Sequence, residues 1–362
     1  MNTRSKRVII LVVAFVVCYI GCVSILAGNN RITGVALAES IGNVVSGQLK
    51  YSDGSLYEGD IENGIIRNGT GSYTWETKES YEGTWVNDAP DGTGKMIWPG
   101  LGIYEGEFEN GKRNGYGTFT WTYDGEPEIG QPVSYEGQWI NDHIGESGTM
   151  VFARLGMYEG EFKKNARSGI GVFTWENGDQ YYGSWAKDQI KGNGILTLAD
   201  GTVFEGVFSN NTLMNGTATY VVEGGVAIRS VQNGKTQKEV TITYQDGTVI
   251  KGKLKGNNFS GDVKISYASG DTYLGTLNQG LKSGKGTYTW ANGAHYVGEW
   301  KNDKMSGTGK YYFGRDESSL YLSGPFKDGV PNGTLVYVSE RKLKYNTTWK
   351  DGKCENIVYK KK

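Results

Sequence analysis

From about residue 45 to residue 358 the chain alternates two kinds of residue at a spacing of two. In Tyr104-Glu105-Gly106-Glu107-Phe108, rings and glycine hold one parity and carboxylates the other. After a short polar break, Gly115-Tyr116-Gly117-Thr118-Phe119-Thr120-Trp121 resumes the alternation. Residues two apart on a strand share a face. Each stretch therefore predicts a strand with one face of rings and glycines and an opposite polar face. The break holds Asn110-Gly111, a two-residue hairpin signal. Asn63-Gly64, Asn177-Gly178, Asp200-Gly201, Asp246-Gly247, Asn292-Gly293 and Asp328-Gly329 repeat it, both within and between such pairs of strands. The expected path is an antiparallel meander without crossovers.

The pattern recurs as a unit. Starts fall at Tyr57, Tyr81, Tyr104, Tyr135, Tyr158, Tyr181, Phe204, Ile228, Ile250, Tyr273, Tyr296, Leu322 and Tyr345, mostly 22 to 24 residues apart. The 31-residue interval from Tyr104 to Tyr135 predicts a longer loop within Thr122 to Ser134, where Pro127 and Pro132 lie. Ser230, Val263 and Thr347 stand where glycine is usual, and Gly47 to Tyr51 resembles a half unit expected to start the sheet. Glycine normally weakens a strand. Here it leaves a gap across which a neighbouring ring can lie, so a side chain at Gly117 is expected to cost more than one at Gly125. A lone hairpin is not stable, and stacked units make a quasi-one-dimensional array.

The Tyr-Glu-Gly-x-Trp/Phe … Gly-x-Gly-x-Phe/Tyr-x-Trp pattern resembles the MORN (membrane occupation and recognition nexus) repeat over roughly residues 45 to 358. The resemblance implies an elongated, twisted antiparallel sheet that binds proteins or anionic lipids and has no activity of its own. The expected fold class is all-β: an array of about 12 to 13 hairpin repeats over residues 39–362, preceded by one N-terminal transmembrane or signal helix.

That helix is read from Val8 to Ala27, a run without charge that follows Arg4, Lys6 and Arg7. At 1.5 Å per residue, 20 residues span about 30 Å, the bilayer core. Only Arg31 follows soon after, which places the N-terminus in the cytoplasm and the repeats outside. Two alternatives also export the repeats. One is cleavage after Ala36-Leu37-Ala38, giving a secreted protein; the other is a lipoprotein site at Gly21-Cys22, which Tyr19 fits badly. Residues 1–38 are thus expected to be an anchor or signal segment with a short linker.

Composition agrees with sheet built on rings: 56 glycines, and 45 Trp, Tyr and Phe together, are too aromatic for a disordered chain. Cys18, Cys22 and Cys354 cannot build a disulfide framework or a Cys-rich metal site. His143 and His295 lie five units apart and are expected to be exposed turn or strand residues, so no dyad or shared metal is expected. Gly-x-Gly pairs such as Gly115 and Gly117 have no following helix and no Gly-Lys-Ser/Thr, which excludes a phosphate loop. Glu58, Glu82, Glu105, Glu136, Glu159 and Glu205 share one offset on the polar face. Neighbours about 10 Å apart are too distant for one metal ion or for a glycosidase pair, and a solvated face is expected. No catalytic, cofactor or metal residue is therefore assigned, and no nucleic acid is expected as a partner.

Charge is segregated. Residues 39–215 hold 12 Lys and Arg against 26 Asp and Glu, a balance of −14, whereas 273–362 hold 15 against 8, a balance of +7. Lys251, Leu274, Val297, Ser323 and Asn346 replace Glu at its offset, and the chain ends Lys360-Lys361-Lys362. An anionic lipid or cell-envelope polymer is the partner this basic end would attract, through Lys342, Lys344, Lys350, Lys353 and the tail. Sequons at Asn68, Asn210, Asn215, Asn258, Asn332 and Asn346 matter only in a glycosylating host. The expected function is a membrane-tethered scaffold for an unidentified protein partner. The alternative is a carbohydrate or cell-wall module, which needs the rings exposed in a groove.

Overall fold

The computed structural model describes residues 32–41, 44–314 and 320–360, which form strands joined by turns and loops. The expected membrane helix lies outside the described residues, as do Lys361 and Lys362. Among the described residues no helix is long and apolar enough to cross a membrane. The sheet begins earlier than Gly47: Ile32–Ile41 pairs antiparallel with Val44–Tyr51, so Ala36-Leu37-Ala38 falls within a paired strand where a linker was expected.

The chain divides into two compact units. The first runs, among the described residues, to Ala199 and takes in Gly206–Thr212; the second comprises Asp200–Glu205 and the described residues from Leu213 onward. Within the first, consecutive strands from Ile32–Ile41 to Gln189–Thr197 pair antiparallel. Within the second, the same meander continues from Thr212–Val222 to Lys353–Tyr359. The longer loop lies between Lys112–Trp121 and Pro132–Ile140, as the interval predicts.

The rings form the core. Tyr57, Tyr81, Tyr104, Tyr135, Tyr158, Tyr181, Tyr273 and Tyr296 are all 0% exposed. Each hydroxyl donates to a carbonyl three residues on, as from Tyr57 to Asp60 (2.8 Å) and from Tyr104 to Glu107 (3.0 Å). The Tyr104 ring lies across Gly106 and Gly117, which face each other in register, and a methyl on Gly117 would overlap it. In the Tyr81, Tyr104, Tyr135, Tyr158, Tyr181 and Tyr296 units the ring four residues after the tyrosine then bridges two units edge-on. Phe108 sits 5.0 Å from Tyr81 and 5.1 Å from Tyr104, and Trp139 sits 5.3 Å from both Tyr104 and Tyr135. Such edge-to-face pairs contribute about 0.5–1.5 kcal/mol each beyond the area they bury. The herringbone runs unbroken from Tyr57 to Phe208.

The first glycine of each Gly-x-Gly has a different task. Gly115 lies at φ +99°, beside a register shift, and the Glu107 carboxylate accepts from the neighbouring Tyr116 N–H (3.1 Å). Only glycine adopts that backbone without strain. Asp60 plays the same part for Thr70 (2.9 Å), and that backbone hydrogen bond holds its carboxyl below the usual range.

One unit start needs correction. Ile228 is 41% exposed on the polar face, while Ala227 is buried and pairs with Tyr220 and Ile242 in the ring column. The period of 23 residues from Phe204 to Ala227 to Ile250 is kept. The bulkier neighbour misleads, because bulk suggests core. The buried residues of these units also compensate one another. Where tyrosine is replaced by Ala227, Ile250 or Leu322, the second glycine is replaced by Val240, Val263 or Leu335, all buried. A smaller residue in the ring column leaves space that the glycine position fills.

Candidate functional site

Two surfaces merit attention: the polar face and a set of slots on the ring side. On the polar face of the first unit, Glu58, Glu82, Glu105, Glu136 and Glu159 are exposed and stand on alternate strands of one in-register row. No two of these five sit on neighbouring strands. Their partners are cross-strand polar groups: Lys95 at 2.7 Å from Glu105, the Tyr116 hydroxyl at 2.8 Å from Glu136, and Gln48 for Glu58. Glu205 is exposed on its own strand. The row then turns apolar. Val172, Tyr182 and Ile195 face one another across three strands, Tyr182 is 56% exposed, and Ile170 beside them is also exposed.

In the second unit the corresponding offset forms its own in-register row, Lys251 opposite Lys264, then Leu274, Thr287, Val297, Lys310, Ser323, Val336 and Asn346. Lys342, Lys344, Lys350 and Lys353 are exposed, with Lys350 in register opposite Lys353.

The slots went unseen in the sequence. Arg67, Arg113 and Arg167 point into the ring layer, and each lies over the tryptophan of the following unit. Their guanidinium carbons are 4.5 Å from Trp85, 4.3 Å from Trp139 and 4.6 Å from Trp185. Each bonds an aspartate in that unit's hairpin turn. Arg113 Nε donates to Asp142 Oδ1 (3.1 Å) and a terminal nitrogen donates to the Asp142 carbonyl (2.9 Å); Arg67 with Asp88 and Arg167 with Asp188 do the same. Burial works against the charge of Arg167, and Asp188 offsets it. Asp88, Asp142 and Asp188 all have positive φ in turns without glycine, which is why a search for Asn-Gly and Asp-Gly passes over them. Units therefore alternate. A cation unit carries Arg nine or ten residues after its tyrosine, and a tryptophan unit follows with Trp at the fifth position and Asp in its turn.

The second unit holds one such pair, with one change. Lys282 takes the arginine position over Trp300, with Asp303 in the turn. Its backbone N–H keeps the bond to Asp303 Oδ1 (2.8 Å) and its Nζ stands 3.3 Å from the same carboxylate. The amine ends 5.5–5.8 Å from Tyr267, Tyr273, Tyr288 and Trp300. A cavity of about 320 Å³ opens there, bordered by Lys282, Tyr288, Trp290, Trp300, Lys304 and Met305 among others.

His143 is exposed at the start of its strand, as expected, but His295 is not exposed: it is 6% exposed and stacks on Tyr312 at 4.4 Å. Tyr312 faces it in register and covers it. Among the described residues no three His, Cys, Asp or Glu come together in a way that could hold a metal ion.

Comparison with known proteins agrees with the pattern. Segments 81–100, 104–122, 135–154, 158–180, 181–203, 273–295 and 296–315 match the family model of the MORN repeat. Among curated proteins none matches the chain.

Proposed function

The chain carries seven MORN repeats across residues 81–315, and from that premise we propose that it is a scaffold without catalysis, which binds a protein partner on the polar face of its first unit. The observation that carries this reading is the in-register row in which five exposed carboxylates lead into the apolar group Val172, Tyr182 and Ile195. The tyrosine column is buried, so it holds the units together. The polar face of the first unit is open to a partner, and exposed apolar groups rimmed by charge mark such contacts. The charge of the row favours a partner with basic residues beside an apolar anchor. Val8 to Ala27, with three basic residues ahead of it, would tether the scaffold to a membrane and leave the repeats outside. The exposed C-terminal lysines would add attraction to an anionic lipid or cell-envelope polymer.

Affinity capture from envelope extracts tests the face directly. The Tyr182→Glu, Ile195→Lys double variant should lose the partner that the parent retains, with an unchanged melting temperature. Equal recovery by both proteins would reject this surface. Carbonate extraction of membranes tests the tether, since a spanning segment keeps the chain in the pellet.

A further inference from the structure

We propose that the cavity beside Lys282 binds a carboxylate carried on a six-membered ring, as in a uronic acid sugar or an aromatic acid. The inference stands apart from the protein-binding face, which lies in the other unit. Its starting point is a comparison the molecule makes with itself. At Arg67, Arg113 and Arg167 the slot over the tryptophan holds a planar guanidinium, with the ring only 4.3–4.6 Å away. At Lys282 the amine keeps the ion pair to Asp303 but has no planar fork to lay over Trp300, and it stops 5.6 Å from that ring. The space borders on Tyr288, Trp290 and Trp300, ring surfaces against which a flat group can stack.

Size and charge narrow the occupant. A cavity of about 320 Å³ stands at the small end of ligand pockets, roughly 300–1,000 Å³, and suits one ring. Lys282 and Lys304 line it. Of the charged groups that line it two are cations and one is a carboxylate, Asp303, which already pairs with Lys282. A further cation would be repelled and an anion drawn in. The Tyr288 hydroxyl donates to Asp271 (2.6 Å), so that ring offers its face and not its hydroxyl. Apolar walls with a few placed charges are the general form of a small-molecule site.

Isothermal calorimetry on the full-length protein tests the site with trigalacturonate, benzoate and, as the neutral ring, cellotriose. At least one acid should bind saturably and more weakly as salt rises, while cellotriose should not; which acid binds identifies the source of the ring. Lys282→Arg keeps the charge and refills the slot, so it should weaken binding at least about tenfold without lowering the melting temperature. Trp290→Leu removes a wall and should weaken binding by a similar factor, which keeps the test decisive if the arginine variant misfolds. Lys304→Gln should remove much of the salt dependence. The proposal is overturned if neither acid saturates, if cellotriose binds as well, or if the folded Lys282→Arg variant binds like the parent.

Discussion

At the scale of the residue, glycine and tyrosine form one object. Tyr104 lies where a side chain on Gly117 would go, so Gly117→Ala should cost about 1–3 kcal/mol through overpacking. Gly125 is a poor comparison, because its φ of +98° strains any substitution even though nothing lies near it. Gly314 is open and has no left-handed backbone, so Gly314→Ala should stay within about 0.5 kcal/mol of the parent. Urea unfolding of the two variants decides, and equal costs would remove the ring-over-glycine account. The pairing of Leu322 with Leu335 suggests a second arm: Tyr104→Leu with Gly117→Val should lose less than the two single changes summed. The ring face was legible from parity alone. The start at Ile228 was misread because the aliphatic stretch offers two apolar neighbours, and only the 23-residue spacing selects Ala227.

At the scale of the element, hairpins are joined in pairs by a buried ion. Arg113 has a side chain 3% exposed and its partner Asp142 is 20% exposed, whereas Asp88 beside Arg67 is 45% exposed. Removing one member of a buried pair leaves an unpaired charge, at a cost of about 3–5 kcal/mol. Asp142→Ala should approach that figure, and Asp88→Ala should cost clearly less, since water reaches the pair. Chemical denaturation ranks them, and the reverse order would refute the role given to burial. The hairpins themselves were readable from turn signals and alternation. The slots were not, because Arg113 and Asp142 are 29 residues apart and belong to different units. A trace did exist in the sequence: Trp at the fifth position occurs in the Tyr81, Tyr135, Tyr181, Tyr296 and Tyr345 units, and the unit just ahead of each of the first four carries the cation. Comparing units two at a time would have exposed it. The apolar end of the polar face was equally hidden, since Val172, Tyr182 and Ile195 meet only through register.

At the scale of the whole molecule, the tyrosine column sets the response to alkali. Burial pushes Tyr81, Tyr181, Tyr273 and Tyr296 up to about 12, and raises Tyr57, Tyr104, Tyr135 and Tyr158 as well. The folded values exceed the unfolded one, so this stability is complete below pH ~10 and is lost as pH rises through the folded values. Each withheld proton contributes a slope of about 1.4 kcal/mol per pH unit in that window, and the column adds several such slopes. Melting temperature should stay level to about pH 9 and fall steeply above pH ~10, with these tyrosines ionising only as the fold is lost. Gradual phenolate absorbance in a protein that remains folded would contradict the burial. A different consequence follows from the alternation of cation and tryptophan units: it sets the step by which such a chain can lengthen or shorten. Excising residues 81–134 would bring Arg67 onto Trp139 and Asp142, the partners its kind already uses. Excising residues 81–103 alone would set Arg67 against Phe108 and Gly111, with neither carboxylate nor indole to receive it. The longer deletion should therefore fold better than the shorter one, and duplications that persist in such a lineage should come in twos.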